Sequence, residues 1–188
     1  MSDNGMTNPD NPPIQAVVED ETQASIERAL EQYQTRLVQM PEDADPVERV
    51  RLQLDIAEAL FGLKRNSVAW DVAREAFDVA VREEAWQEAV EACDILYKTE
   101  LDDSLAALGN GIWLAVTYPV NPQTTVTLLN HVVDETPDDS DGAAVAAMAA
   151  HYIADLRAEG KEKDSLKFLT TQIIAQVAKR HRGIEDQE

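Results

Sequence analysis

The chain has 188 residues, 44% of them hydrophobic and only 5% aromatic, so it is long enough for one domain with a buried core. Abundant alanine with few aromatic residues favours closely packed helices over a sheet, and the predicted fold class is therefore all-α. The 36 acidic and 16 basic residues give a net charge of -20, which argues against nucleic acid and membranes as partners because both are anionic.

The N-terminus and the cysteine content predict a cytoplasmic protein. The first residues, MSDNGMTNPDNPP, lack the basic start and the apolar run of a signal peptide. Cys93 is the only cysteine, so no disulfide can form within the chain, and its position on an apolar helix face predicts a buried, inert thiol. The uncharged stretch 104–133 is interrupted by Asn110, Pro119 and Pro122, and it is not predicted to span a membrane.

The sequence divides into a single helical-hairpin domain, residues 21–183, between two tails. Residues 1–20 are rich in Asn, Asp and Pro and have no apolar period, which predicts a disordered acidic tail. Residues 184–188 form a short C-terminal tail. In the domain, apolar residues recur at steps of three and four, the spacing of one face of an α-helix.

About eight helices are predicted from this spacing together with capping and proline signals. Asp45 and Asn121 are predicted N-caps because each precedes a proline at the first helical position, and Ser67 is the predicted N-cap of the third helix. A shift in the apolar stripe requires a break near residues 83–85, although neither Gly nor Pro marks it. The predicted helices are residues 22–40, 46–63, 67–82, 86–97, 104–118, 122–135, 142–159 and 162–182.

Two of these helices have an unusual composition. Gly109 and Gly111 lie inside the fifth helix, and each weakens it by roughly 1 kcal/mol unless a neighbouring helix needs a close approach. The seventh helix, GAAVAAMAAHYIADLRAE, has small residues on nearly every face, which predicts a central position with contacts on more than one side. Gly160 is the predicted end of that helix.

Part of the pattern resembles tetratricopeptide-repeat helical hairpins. Ala57 and Leu60 in the second helix, followed by Ala69 and Ala76 in the third, are similar to the small and large residues that line such hairpins. The resemblance covers about half of the chain, but the alanines of successive segments are only 20 residues apart where the repeat is about 34. It implies binding of peptides or scaffolding of complexes, with no catalytic residue. A generic α-helical bundle is the alternative fold.

A non-catalytic protein-interaction module is therefore the predicted function: an adaptor, scaffold or assembly chaperone that needs no cofactor. Residues 101–141 contain seven acidic and no basic side chains, which favours a basic protein or peptide as the partner. An acidic surface that serves only solubility is the alternative explanation. An exposed tryptophan would add an apolar anchor. The predicted partner-binding residues are Asp102, Asp103, Asp134, Glu135, Asp138, Asp139, Asp141 and Trp113.

Two other functions remain open. His131 with Asp134 and Glu135, and His151 with Asp155, each place an imidazole one helical turn from a carboxylate, a spacing that can chelate a metal. A small α-helical metalloprotein or enzyme that uses the two histidines is thus the alternative function. The third is a structural subunit of a larger enzyme, which would leave an apolar surface exposed on the isolated chain.

Overall fold

The computed structural model describes residues 14–138 and 140–182, with side chains placed for 22–138 and 140–180. In this part of the chain there are eight α-helices and no strand, which confirms the all-α prediction. The helices are α1 (Ile14–Gln39), α2 (Pro46–Gly62), α3 (Asn66–Arg82), α4 (Trp86–Lys98), α5 (Ser104–Thr117), α6 (Pro122–Glu135), α7 (Asp141–Arg157) and α8 (Gly160–Arg182).

The helices form an array of hairpins in two layers. Each helix packs on the next one in the chain, and the links are so short that neighbouring helices run antiparallel. In addition, α2 contacts α4, α4 contacts α6, and α6 contacts α8. These four helices therefore lie side by side, and we call them the inner layer. The helices α3, α5 and α7 form the outer layer.

Alanine lines the contacts between the layers. On α3, Ala69, Ala73, Ala76 and Ala80 are fully buried at steps of three and four, and their small side chains allow α3 to lie close to α2 and α4. Buried apolar residues continue along the array in three clusters, from α1 to α3, from α2 to α6 and from α6 to α8. The core thus runs the length of the array.

Two predicted N-caps are confirmed and one is wrong. The side chain of Asp45 accepts a hydrogen bond from the backbone N–H of Val47 at 2.9 Å, and Asn121 caps α6 in the same way. Ser67 is not a cap. The third helix begins one residue earlier than Ser67, at Asn66, because backbone hydrogen bonds close the preceding turn and no side-chain cap is formed.

The predicted break near residues 83–85 is a turn with a left-handed residue. Glu84 has a φ of 55°, and the N–H of Ala85 donates to the carbonyl oxygen of Ala80 at 2.8 Å, which ends α3 in a Schellman motif. Lys64, with a φ of 60°, ends α2 in the same way. Such positions usually hold glycine, because a left-handed backbone costs other residues about 1–2 kcal/mol. Because Glu84 holds the left-handed position instead of glycine, no glycine marks this break in the sequence.

The first helix begins earlier than predicted. It starts at Ile14, within the segment predicted as a disordered tail, because no Gly or Pro interrupts residues 14–40. The rest of that predicted tail, residues 1–13, and the predicted tail 184–188 lie outside the described residues.

The seventh helix also differs from its prediction. It ends at Arg157 rather than next to Gly160, which has a φ of 52° and is the first residue of α8. It packs against both α6 and α8, in line with the predicted contacts on more than one side. The side that faces away from these two helices is nevertheless exposed, so α7 is not central.

Candidate partner-binding groove

The inner layer forms a groove of about 850 Å³ where α2, α4 and α6 lie side by side. The apolar stripes of these helices are turned towards the outer layer, so their polar faces are left to line the groove. Five acidic and two basic side chains do so: Asp55, Glu58, Glu88, Glu91, Asp94, Arg51 and Lys98.

The floor of the groove is apolar. Leu54 of α2, Ile95 of α4 and Leu128 of α6 are buried beneath the polar rim, and Phe61 lies half-buried beside them. Each of the three helices thus contributes one buried apolar residue to the floor. Most of the side chains that line the groove are polar, so a ligand would be held mainly by charges and hydrogen bonds above this apolar floor.

Polar side chains join the inner helices across the groove. Nε of Arg51 on α2 donates to Oε1 of Glu88 on α4 at 2.7 Å. Gln87 on α4 donates through Nε2 to Oγ1 of Thr124 at 3.1 Å, and its Oε1 accepts from the backbone N–H of Asn121 at 2.9 Å. Each bond joins a defined pair of positions, so together they set the register between α2, α4 and α6.

Asp94 holds a second polar cluster nearer the C-terminal end of α4. Its carboxylate accepts a hydrogen bond from Nζ of Lys98 and lies 3.0 Å from Nε2 of His131 on α6. Burial alone would raise the pKa of Asp94, but the bonds from His131 and Lys98 outweigh it and hold that pKa below its usual value. Asp94 is therefore a charge that the chain itself compensates.

Three other groove carboxylates, Asp55, Glu58 and Glu91, form no ion pair with any residue in the described part of the chain. Burial raises the pKa of Asp55, and nearby Arg36 offsets this only in part. Burial also raises the pKa of Glu91, and the hydrogen bond from Gln87 offsets this only in part. The groove thus disfavours the negative charges of Asp55 and Glu91 as long as no cation is added.

Two of the groove carboxylates, Asp55 and Glu58, also face the first helix. Asp55, Glu58 and Phe61 also line a depression of about 400 Å³ against Ile26 and Tyr33 of α1. The two carboxylates of α2 are therefore accessible from both sides of their helix. A bound segment that crosses α2 would contact them along its path.

The predicted partner-binding acids lie elsewhere, near the C-terminal ends of α4 and α6. The described ones are all exposed, and none of them lines the groove: Asp102, Asp103, Asp134, Glu135, Asp138 and Asp141. Asp139 lies outside the described residues. The hydroxyl of Tyr97 donates to Glu135 at 2.7 Å, and Nε of Arg180 lies 3.1 Å from Oδ1 of Asp138. Trp113 is 59% exposed on α5, in the outer layer.

The groove carboxylates were missed by the sequence analysis, although a local signal for them exists. Glu88, Glu91 and Asp94 follow one another at steps of three, as do Asp55 and Glu58, so each set lies on one face of its helix. Like charges at this spacing destabilise a helix by a few tenths of a kcal/mol, roughly 0.2–0.5. The spacing does not, however, indicate that α2 packs beside α4, which brings the two sets together.

The two histidines contact side chains of two different helices, α4 and α8. His131 turns to Asp94 on α4 rather than to the carboxylates of its own helix, and Nδ1 of His151 lies 2.9 Å from Oγ1 of Thr170 on α8. Across the described residues, no group of three or more His, Cys, Asp or Glu is placed to hold a metal ion. Cys93 is buried, and burial raises the pKa of its thiol to about 12, so it is protonated at neutral pH.

No protein-family model, curated protein or solved structure matches this chain. Among the helices of the described part of the chain, none is both long enough and apolar enough to cross a membrane.

Proposed function

We propose that this chain is a non-catalytic protein-interaction module that binds a basic segment of a partner protein in the groove of the inner layer. The observation that carries the proposal is the set of three carboxylates, Asp55, Glu58 and Glu91, that lack an ion pair within the described structure and surround an apolar floor. A lysine or arginine would pair with them, while its aliphatic part covers Leu54 and Ile95.

The electrostatics of the groove support a cationic ligand. Burial raises the pKa of Asp55 and of Glu91, and a bound cation would lower both values because it favours the charged carboxylates. A net charge of -20 also attracts a basic segment over long distances and speeds its association at low salt. A cytoplasmic location belongs to this proposal, and the single buried Cys93 is in keeping with it.

The resemblance to tetratricopeptide hairpins supports the same function. The four inner helices begin 40, 36 and 38 residues apart, so a hairpin unit recurs at a similar interval along the chain. The interval of 20 residues between Ala69 and Ala89 compares an outer helix with an inner one, and so it does not measure this unit. We propose a tetratricopeptide-like array, in which an extended segment lies along the inner layer, as the fold to which the binding belongs.

A peptide-display selection against the full chain, followed by measurement of the Kd of the selected peptides, tests the groove. The double variant Glu58→Gln/Glu91→Gln removes two negative charges from it, and the new amide can still accept the hydrogen bond from Gln87. The matched control, Asp102→Asn/Asp103→Asn, removes the same charge from the exposed turn after α4.

The selected peptides should contain lysine or arginine. The groove variant should bind them at least about tenfold more weakly, about 1.4 kcal/mol, while the control variant should stay within about twofold. Affinity should fall with added salt, and also as the pH drops through the raised pKa values of Asp55 and Glu91, because the protonated groups no longer attract a cation. Equal losses in both variants would place the binding site outside the groove.

A further inference from the structure

The outer layer has an exposed apolar surface of its own. Large apolar side chains of α5 and α7 are between 40% and 68% exposed, in contrast to the buried alanines on the other side of the same helices. On α7 they follow one another at steps of three, four and four, so they form one stripe along the helix. We call this surface the outer apolar face, and it consists of Leu105, Trp113, Val116, Val145, Met148, Tyr152 and Leu156.

The two helices of this face are held together. The guanidinium of Arg157, at the end of α7, donates to the carbonyl oxygens of Ala115 at 2.7 Å and of Val116 at 2.9 Å on α5. Ile112 of α5 also packs against the cluster that contains the buried alanines of α7. The exposed side chains of α5 and α7 therefore belong to one surface.

The exposed side chains that form the outer apolar face are uncharged, and the guanidinium of Arg157, which joins α5 to α7, is bound to backbone carbonyl oxygens. The sequence of α5 has no Asp, Glu, Lys or Arg, and α7 has none from Gly142 to Ala154. Asp155 is turned towards α8, where it pairs with Lys163 and Lys167. On a chain of net charge -20, a contact through this face brings few like charges together.

Gly109 is an independent observation on the same face. It is exposed in the middle of α5, and a Cβ atom at this position would have no heavy atom within 4 Å. Glycine there destabilises the helix relative to alanine, and contacts within the described chain do not require it. At Gly111, by contrast, a Cβ would lie 2.7 Å from Cβ of Cys93 and from Cδ2 of Leu128. Gly109 leaves a gap, one turn from Trp113, that admits the close approach of another helix.

We infer that the outer apolar face binds a second copy of this chain in a dimer with two-fold symmetry. Such a contact places the face against itself, so both apolar surfaces are buried and the assembly closes. The distribution of charge favours a second copy of the chain over a basic partner at this face. A basic partner would be attracted to the acidic surfaces rather than to an uncharged one, whereas two copies of an acidic chain meet with least repulsion through their uncharged faces.

Sedimentation equilibrium of the full chain, from low to high micromolar concentration, tests the dimer. We expect the mass to rise from one to two chains with concentration. The dimer should become tighter with added salt, because salt screens the repulsion between two chains of net charge -20. Peptide binding in the groove has the opposite salt dependence, and the groove stays open in the dimer, so the two proposals fail separately.

Three variants locate the contact. Met148→Glu places a charge in the face at a position that is 55% exposed, and the dimer Kd should rise at least about tenfold. Val68→Glu, at a position 51% exposed on α3, is the matched control and should stay within about twofold. Gly109→Ala should raise the Tm of the monomer, because its Cβ meets nothing, and at the same time raise the dimer Kd, because that Cβ fills the gap.

Two results would overturn the inference. If the chain stays monomeric at every protein and salt concentration, no such dimer forms. The outer apolar face would then bind a different protein. A dimer whose Kd is unchanged by both Met148→Glu and Gly109→Ala is held by some other surface.

Discussion

The groove of the inner layer and the outer apolar face are built from similar helices, but they use their side chains in opposite ways. In the groove, Arg51 with Glu88 and Gln87 with Thr124 form directional bonds from helix to helix. The exposed side chains of the outer apolar face are uncharged, and Arg157 joins its two helices through bonds to backbone carbonyl oxygens of α5. We therefore expect binding at the first surface to depend on charge, and binding at the second to depend on apolar burial and close approach.

Two glycines of the fifth helix, two residues apart, differ in how closely the chain packs around them. Gly111 faces inward, where Cys93 and Leu128 leave no space for a Cβ, while Gly109 faces outward, where nothing in the chain lies near it. Both glycines weaken the helix by a similar amount, yet only one of them is explained by packing within the chain. Substitutions at these positions and in the groove therefore test whether the two layers differ in packing as described.

The largest effect is expected from Gly111→Ala. The added Cβ would lie 2.7 Å from atoms of Cys93 and Leu128, so α5 must shift away from α4 and α6. We expect the free energy of unfolding to fall by about 1–3 kcal/mol, measured by urea denaturation. Gly109→Ala is the matched control, because it adds the same methyl group to the outward side of the helix. Equal stability of the two variants would contradict the packing difference between the layers.

A smaller loss is expected from Gln87→Leu in the groove. The substitution removes the bonds to Thr124 and to the backbone N–H of Asn121, and it should cost about 1–2 kcal/mol. Gln176→Leu, at an exposed position of α8, is the control and should change stability by less than about 0.5 kcal/mol. Hydrogen exchange of the Asn121 amide should become faster in the first variant only. An unchanged exchange rate would mean that this bond does not hold α6 in register.

The smallest effect, a gain, is expected from Glu84→Gly in the turn that joins an outer helix to an inner one. Glycine adopts the left-handed conformation of this residue without strain, so the variant should be more stable by up to about 1 kcal/mol. Glu83→Gly is the control, since Glu83 has a φ of -88° and glycine there only adds disorder to the unfolded chain. A thermal melt of each variant measures the difference. A loss of stability in both would contradict the assigned turn.

Much of the fold could be predicted because its signals are local. The sixth helix matches its predicted range, residues 122–135, because an N-cap and a proline at its start act within one turn. The break at residues 83–85 was predicted from the shift of the apolar stripe alone. The Ser67 cap was wrong because the competing turn is closed by backbone hydrogen bonds, which leave no trace in side-chain identity.

The candidate site could not be predicted in the same way. Its bonds join residues 34 or 37 positions apart, such as Arg51 with Glu88 and Asp94 with His131. Proximity in the chain predicts Asp134 and Glu135 as partners of His131, whereas the structure places His131 against Asp94. Local density likewise favours the acids at the ends of α4 and α6 over the acids that meet across the groove.

The amino-acid sequence alone predicts an all-α chain, the approximate ends of most of its helices and the alanine stripes along which they pack. These properties follow from interactions within about four residues, which is the range of helix hydrogen bonds and of helix faces. The arrangement of the helices in space is needed to see which polar faces meet in a groove, which acids lack an ion pair among the described residues, and which of two glycines the packing requires. Those outcomes depend on helices that touch across the array, and local patterns do not contain that information.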